Sequence, residues 1–295
     1  MFDLRYHVAS LAAVFLALII GIVVGVGISG KGFVQNSERR LLNEKIADLK
    51  SSLDSATRRN ADLTRAQRTA QAFVQDAYPA LMTNRLQGVR VGIVFAGRVD
   101  GGIRSLVEQT LDDAGAAPPL RVRALKVPID VPSLRRALTK RPALAALATP
   151  RKIGELGRRL GSELVVGTDG PLWQALAADL VEERSGNDTV ALDGIVLARS
   201  APPQSGATAR FLAGFYAGLA AAGVPAVGVE VTRPGTSAVD AFAKQDLSTV
   251  DDLDSQAGRL ALALLLAGAP AGQYGVKKSA RDGVLPQIPA APSSG

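Results

Sequence analysis

The run Val89-Arg-Val-Gly-Ile-Val-Phe95, the loop Gly97-Arg-Val-Asp-Gly-Gly102, and then Ile103, Leu106, Val107, Thr110, Leu111 and Ala114 at helical spacing decide how this chain is read. β-Branched residues closing on a glycine predict a strand and a loop, and the 3.6-residue stripe after them predicts a helix. The cycle repeats downstream. Leu120 to Val127 reads as a strand and Ser133 to Leu138 as a helix. Thr149-Pro150 supplies an N-cap and a first-turn proline for a helix with Ile153, Leu156 and Leu160 inward. Leu164 to Val166 reads as a short strand, Pro171 to Glu183 as a helix with Trp173 in the core, and Gly194 to Ala198 as a buried strand. A helix over Ala207 to Ala222, a strand over Ala226 to Val231 and a helix over Leu253 to Ala267 complete the pattern. Such alternation predicts an α/β layer with a mostly parallel sheet flanked by helices. Leu260 to Leu266 is apolar all round, which predicts a buried helix.

Upstream the period changes. From Leu42, steps of three and four residues pass through Leu42, Ile46, Leu49, Leu53, Ala56, Asn60, Leu63, Gln67, Ala70, Val74, Ala77 and Leu81, with no Gly or Pro before Pro79. A narrow apolar seam sustained over that length predicts a coiled-coil stalk and a homodimer. Asn60 and Gln67 fall at a positions, where a buried amide lowers stability but fixes register. The outer positions of the helix, including Lys45, Lys50 and Arg59, lack a clean complementary pattern, so another protein also stays open as the partner.

Further upstream, Val8 to Gly30 carries no charge. As a helix it reaches about 34 Å, enough to cross a bilayer. The run is longer than the core of a secretory leader and no A-x-A site follows it, so the reading is an uncleaved anchor. Ser10, Ala13, Ala17, Gly21 and Gly25 recur at three- or four-residue spacing, which would let two such helices approach closely. Lys31, Arg39 and Arg40 follow the segment while only Arg5 and the terminal amine precede it. The positive-inside rule therefore points against a body on the outside, although long domains translocate largely regardless of charge.

The expected organisation is an anchor over 1–30, a stalk over 31–84, an α/β domain over 85–276 and a disordered tail over 277–295. The 295 residues contain no Cys, one His and two Met. That excludes a disulfide scaffold, Cys-ligated zinc or iron–sulfur sites, a thiol nucleophile and Ser-His-Asp catalysis. Net charge is +7, but the body from 88 to 276 is nearly neutral with 20 basic and 19 acidic residues. The loops Gly97–Gly102 and Val166–Gly170 match neither G-x-G-x-x-G nor a lysine-bearing phosphate loop, and no acid pair or Ser-Lys arrangement stands out. The chain is therefore read as a non-enzyme with no cofactor and no metal site; an enzyme would need turnover dependent on a loop residue such as Asp100 or Asp169.

Between Arg121 and Leu160 there are eleven Lys/Arg against Asp130 and Glu155, with no aromatic residue among them. The missing rings argue against nucleic acid as a partner. Two readings of this run stay open. Arg135, Arg136, Arg158 and Arg159 form a surface for an anionic partner, or they are solvated helix faces answering the acidic run Asp240, Asp246, Asp251, Asp252 and Asp254.

The opening Phe2-Asp3-Leu4-Arg5-Tyr6-His7-Val8, followed by Ser10-Leu11-Ala12-Ala13-Val14-Phe15-Leu16-Ala17-Leu18 and Gly21, resembles the start of the actinobacterial family named after the mycobacterial copper transport protein B. Arg5, Tyr6, His7, Ser10, Phe15 and Gly21 carry that anchor motif. The similarity returns at Ser248-Thr249-Val250-Asp251, Gly258-Arg259, Tyr274-Gly275-Val276-Lys277 and Leu285-Pro286, with Asp252 where the family pattern commonly has Asn. The resemblance implies a single-pass protein of the cell envelope, with its N-terminus cytoplasmic and its body outside, anchored in the lipid bilayer. It also implies two roles. One is copper transport or homeostasis, as the family name states. The other, from corynebacterial relatives, is that of a partner of a membrane protein in cell separation, linked to control of peptidoglycan hydrolysis. Copper favours Cys, Met and His ligands, and Met1, Met82 and His7 are scattered. A barrel pore would need many alternating strands. The residues therefore favour a dimeric scaffold or signal transmitter, with copper transport as the alternative.

Overall fold

An apolar segment in lipid must satisfy its backbone internally, and helix α1 (Leu4–Ile28) does so along its whole length. Its stretch His7–Gly27 is long and apolar enough to cross a membrane, and none of it is buried by protein. Helix α2 (Lys31–Met82) follows. The computed structural model describes residues 4–28, 31–166, 170–187 and 189–288; the side chains of 4–6, 28 and 31–38 lie outside that description. The chain divides into two compact units, Met1–Ala70 and Gln71–Gly295. In the first unit, Leu42, Ile46, Leu49, Leu53 and Leu63 are 58–69 % exposed on α2. A coiled coil needs a partner helix for this seam, and among the described residues of the single chain none covers it.

The second unit is built on a seven-stranded sheet in the order β3-β2-β1-β4-β5-β6-β7. The strands are β1 (Val91–Ala96), β2 (Arg121–Leu125), β3 (Val181–Gly186), β4 (Gly194–Arg199), β5 (Ala226–Val229), β6 (Ser248–Val250) and β7 (Gln273–Tyr274). Every neighbouring pair is parallel except β2 and β3. The period-2 alternation sends the two faces of each strand into two cores. Val91, Ile93 and Phe95 of β1 meet α3 (Gly101–Asp113), the end of α2, and α9 (Gln256–Leu266). Val94 and Ala96 face the layer of α4 (Val131–Thr139), α5 (Ile153–Glu163), α6 (Pro171–Leu180), α7 (Gly206–Ala220) and α8 (Val239–Ala243). As its composition requires, α9 is buried from Leu260 to Leu266. Trp173 is a core residue whose indole N–H donates to Leu160 O at 2.9 Å.

Four segments differ from the sequence reading. Leu164–Val166 is a turn closing α5, because the Leu164 N–H still bonds back to Leu160 O. The helix expected to run to Glu183 stops at Leu180, and Val181 turns extended to pair antiparallel with Leu125. The demand of the β2 edge for a partner outweighs local propensity there, and the charged, exposed residues of β3 suit an edge strand. The pair β6 and β7 is too short to show as a period. Finally, of the tail expected to be disordered over 277–295, the part up to Pro286 is held: the Gly275 N–H donates to Gly283 O, the Gln273 N–H donates to Asp282, and Pro286 is buried, while 289–295 lie outside the described residues.

Helices α5 and α7 touch through backbone. A Cβ on Gly157 would lie 2.2 Å from Phe211 O, and one on Gly218 would lie 2.0 Å from Arg158 O. Gly161 and Gly214 make the same kind of approach. Small residues four apart let two helix backbones come this close, as in membrane helix pairs.

Candidate functional site

Strand order reverses between β1 and β4, and open parallel sheets bind ligands in the crevice beyond the carboxyl ends of their strands at such a point. Here that crevice has a volume of about 410 Å³, and its walls include Asp100, Ile103, Arg199, Glu230 and Arg233. Asp100 is the N-cap of α3, accepting from the Ile103 N–H at 3.0 Å, so its carboxylate has a structural task. Gly97, at φ +114°, passes against Ser200 and Ala201 where a side chain would collide. The glycine of this first loop serves the turn.

One wall is a buried polar network. The Glu230 side chain is 5 % exposed and accepts from Lys277 Nζ at 2.6 Å, from Ser237 Oγ at 2.9 Å and from the Ala238 N–H at 2.7 Å. Lys277 Nζ also donates to Val231 O at 2.7 Å. Asp251, fully buried at the end of β6, accepts from the N–H groups of Val276 and Lys277 and from Ser279 Oγ. Asp252, also fully buried, accepts from Ser255 Oγ at 2.7 Å through one oxygen while the other has no partner. Burial pushes its carboxyl above the usual range, and the charges of Asp251 and Asp254 add to the rise. Burial also acts on Asp254, but the bonds from the Thr232 N–H and hydroxyl outweigh it and leave that carboxyl below its ordinary value.

The structure thus brings together the residues that carried the C-terminal resemblance. Asp251, Tyr274, Gly275, Val276 and Lys277 fasten one strap to the ends of β5 and β6. Arg259, from the same set of motifs, lies with its guanidinium 5.3 Å from the centre of the Tyr78 ring and donates to Gln109. The Tyr78 hydroxyl donates to Asp113 at 2.7 Å, and Tyr78 and Met82 are buried beside α3 and α9. Sequence reasoning missed Glu230 and Tyr78; the only signal was a lone acid after a strand and an aromatic residue next to the seam.

The four arginines read as an anionic-partner surface are exposed, Arg135 and Arg136 on α4 and Arg158 and Arg159 on α5. Arg136 donates to Ser133 Oγ, and Arg159 pairs with Glu155 at 2.9 Å. Arg121 and Arg123, from the same basic run, are buried in β2 and bond backbone carbonyls. The acidic residues Asp251, Asp252 and Asp254 are engaged locally by Ser279, Ser255 and Thr232. His7, Ser10, Phe15 and Gly21 lie exposed on α1, as Asn60 and Gln67 do on α2. The side chains of Arg5 and Tyr6, and all of Asp169, fall outside the described residues.

Among known proteins, the sequence profile of the family described as "Copper transport outer membrane protein, MctB" matches residues 1–285. Proteins named "Copper transporter MctB" from Mycobacterium tuberculosis (strain ATCC 25618 / H37Rv) and Mycobacterium bovis (strain ATCC BAA-935 / AF2122/97) are 27 % identical to this chain, covering 97 % of it and 100 % of their own length. The protein of that name from Mycobacterium leprae (strain TN) is 26 % identical over the same shares.

Proposed function

Because this chain belongs to the MctB family, we propose that it is a membrane-anchored, non-enzymatic envelope protein acting as a dimeric scaffold or signal transmitter, in envelope maintenance and cell separation. The observation that carries this reading is the exposed seam. Leu42, Ile46, Leu49, Leu53 and Leu63 stand 58–69 % exposed at heptad spacing. Leaving that much aliphatic surface in water is unfavourable by about 25 cal/mol per Å². A second copy of the same helix covers it in register, with Asn60 facing Asn60 and Gln67 facing Gln67. The same helix contributes Tyr78 and Met82 to the core of the second unit.

The chain contains no Cys, so a single introduced thiol gives an unambiguous test. In Leu53→Cys, parallel in-register pairing places the two Cα atoms within disulfide range, about 4.4–6.8 Å. The full chain in membranes should run as an oxidant-dependent dimer, and a Cys at the outer position Arg58 should crosslink far less. A monomer from Leu53→Cys would remove the paired reading. At the cellular level, deletion should leave daughter cells attached; normal separation with altered copper tolerance would move the role to copper.

Copper transport is the second reading, and the family description and the names of the mycobacterial relatives favour it. The soft or borderline donors in this chain are His7, Met1 and Met82. Met82 is fully buried in the core beside α3 and α9. Copper carried by this chain would rest on oxygen donors or on ligands from another protein. Titration of the detergent-solubilised full chain with Cu(I) and Cu(II) discriminates the readings: stoichiometric tight binding supports transport, and weak non-stoichiometric heat supports the scaffold.

A further inference from the structure

Helices α4, α5, α6 and α7 cover one face of the sheet, and each buries its apolar side in the same core. Their outward sides therefore form one surface of the second unit, and its charge is lopsided. Residues 130–163, 171–180 and 206–220 hold nine Lys/Arg against four Asp/Glu. Among the described residues, Arg135, Lys140, Arg151, Lys152, Arg158 and Arg210 are exposed and pair with no carboxylate. Acids close by have other tasks. Asp130 accepts from the Ser133 N–H and hydroxyl, Glu155 pairs with Arg159, and Glu163 accepts from the Leu172 N–H. Asp251, Asp252 and Asp254 are held by Ser279, Ser255 and Thr232, so they do not answer this surface. Three of the cations crowd together where α5 meets α7. A Cβ on Gly154 would lie 3.3 Å from Arg210 O, and Arg151 and Arg158 stand three and four residues from Gly154. Like charges about one helical turn apart repel, and an anion laid across them relieves that.

The uncharged part of the surface narrows the kind of anion. None of the exposed large apolar side chains lies on these four helices. A protein interface needs an apolar centre, and here there is none to bury. Trp173, Phe211, Phe215 and Tyr216 all point into the core, so no ring is offered for base stacking. Arginine outnumbers lysine seven to two among the nine cations. A bilayer surface reads either residue as a point charge, whereas the guanidinium fork matches individual oxyanions in two-point contacts. We propose that the outer face of α4, α5 and α7 binds a flexible linear polymer carrying phosphate at each repeat, held by charge and not by apolar burial. The inference stands apart from the seam, since none of these residues lies on α2.

The test places the full chain in phosphatidylcholine nanodiscs and titrates it with inorganic polyphosphate. Polygalacturonate and phosphatidylglycerol vesicles are the comparison ligands. With about five cations neutralised, raising NaCl from 50 to 200 mM should weaken polyphosphate binding roughly a hundred-fold. The variant Arg151→Gln, Arg158→Gln, Arg210→Gln removes exposed, unpaired charges, so its Trp173 fluorescence melt should match that of the parent. It should bind at least about ten-fold more weakly, and its log–log salt slope should flatten by about two. Removing the same charge from α2, with Arg39→Gln, Arg40→Gln and Arg58→Gln, should leave the affinity within about two-fold. Absence of saturable polyphosphate binding would overturn the proposal, as would equal losses in the two triple variants. Tighter binding of polygalacturonate, or capture by the vesicles alone, would overturn it in favour of a carboxylate polymer or a lipid surface.

Discussion

Replacing Gly218 by Ala adds one methyl group where α7 meets α5, and the geometry fixes what must follow. The new Cβ would stand 2.0 Å from Arg158 O, 2.8 Å from its carbonyl carbon and 3.0 Å from its Cα. Carbon–oxygen contacts of this kind settle near 3.3 Å, so the helices must separate by roughly 1.3 Å. No rotamer relieves the clash, because backbone meets backbone. A gap of 0.5–1 Å already forfeits about a quarter to a half of a dispersion well. The side chains that lose contact are Phe211, Phe215, Leu156 and Leu160, all buried. Overpacking of this kind costs about 1–3 kcal/mol, and the better helix propensity of Ala returns roughly 1 kcal/mol of it. The net expectation is a loss of up to about 2 kcal/mol, or up to roughly 8 °C in Tm for a domain of this size, and a deficit of about 1–3 kcal/mol against a control that keeps the propensity gain without the clash. Trp173 is the single tryptophan, 6.4 Å from the Phe215 ring and bonded to Leu160 O, so its fluorescence reports the affected layer directly. Gly101→Ala is the control, since a Cβ there meets nothing within 4 Å. A melting temperature for Gly218→Ala equal to or above that of the control would refute the backbone-contact account.

Asp252→Asn should stabilise the protein by roughly 1 kcal/mol at neutral pH. The sign follows from the raised carboxyl: the unfolded chain gives up this proton at lower pH than the folded one, so stability falls as pH rises from the unfolded value through the folded one. Urea melts across pH 4–8 should show that the variant has lost this decline, and an unchanged slope would count against it. Lys277→Met strands the Glu230 carboxylate in a wall where it is 5 % exposed, and breaking such a pair costs about 3–5 kcal/mol. Restoring stability with the added change Glu230→Gln would separate charge from shape. In the Leu53→Cys chain, adding Ile46→Glu and Leu49→Glu should abolish the oxidant-dependent dimer while leaving the Trp173 melt in place, as read by gel and fluorescence on one sample.

The parallel sheet and its flanking helices were legible because their strands are continuous β-branched runs and their helices carry wide apolar faces. Phe95, Leu197 and Val229 could hardly have been anything but core. The edges were not legible. Val181–Gly186 is charged and becomes a strand only because β2 lies beside it, and Gln273–Tyr274 is two residues long. The glycines of α5 and α7 lower helix propensity taken alone, and their purpose is visible only when the opposing backbone is in place. Much the same holds for the site. Asp100 was noticed as a loop acid, but its role as a cap requires Ile103, and the Glu230 to Lys277 pair spans a separation no local pattern can announce.

The order in which the sheet is completed has a consequence for synthesis. Strand β6 leaves the ribosome roughly two dozen residues before β7, which at 5–20 residues per second is a delay of about 1–5 s. During that interval a strand edge stands open, the greasy α9 emerges, and Asp251 waits for the three donors that arrive with Val276, Lys277 and Ser279. The nascent head is at its most adhesive just before its last segment docks, so holdase chaperones should engage it there.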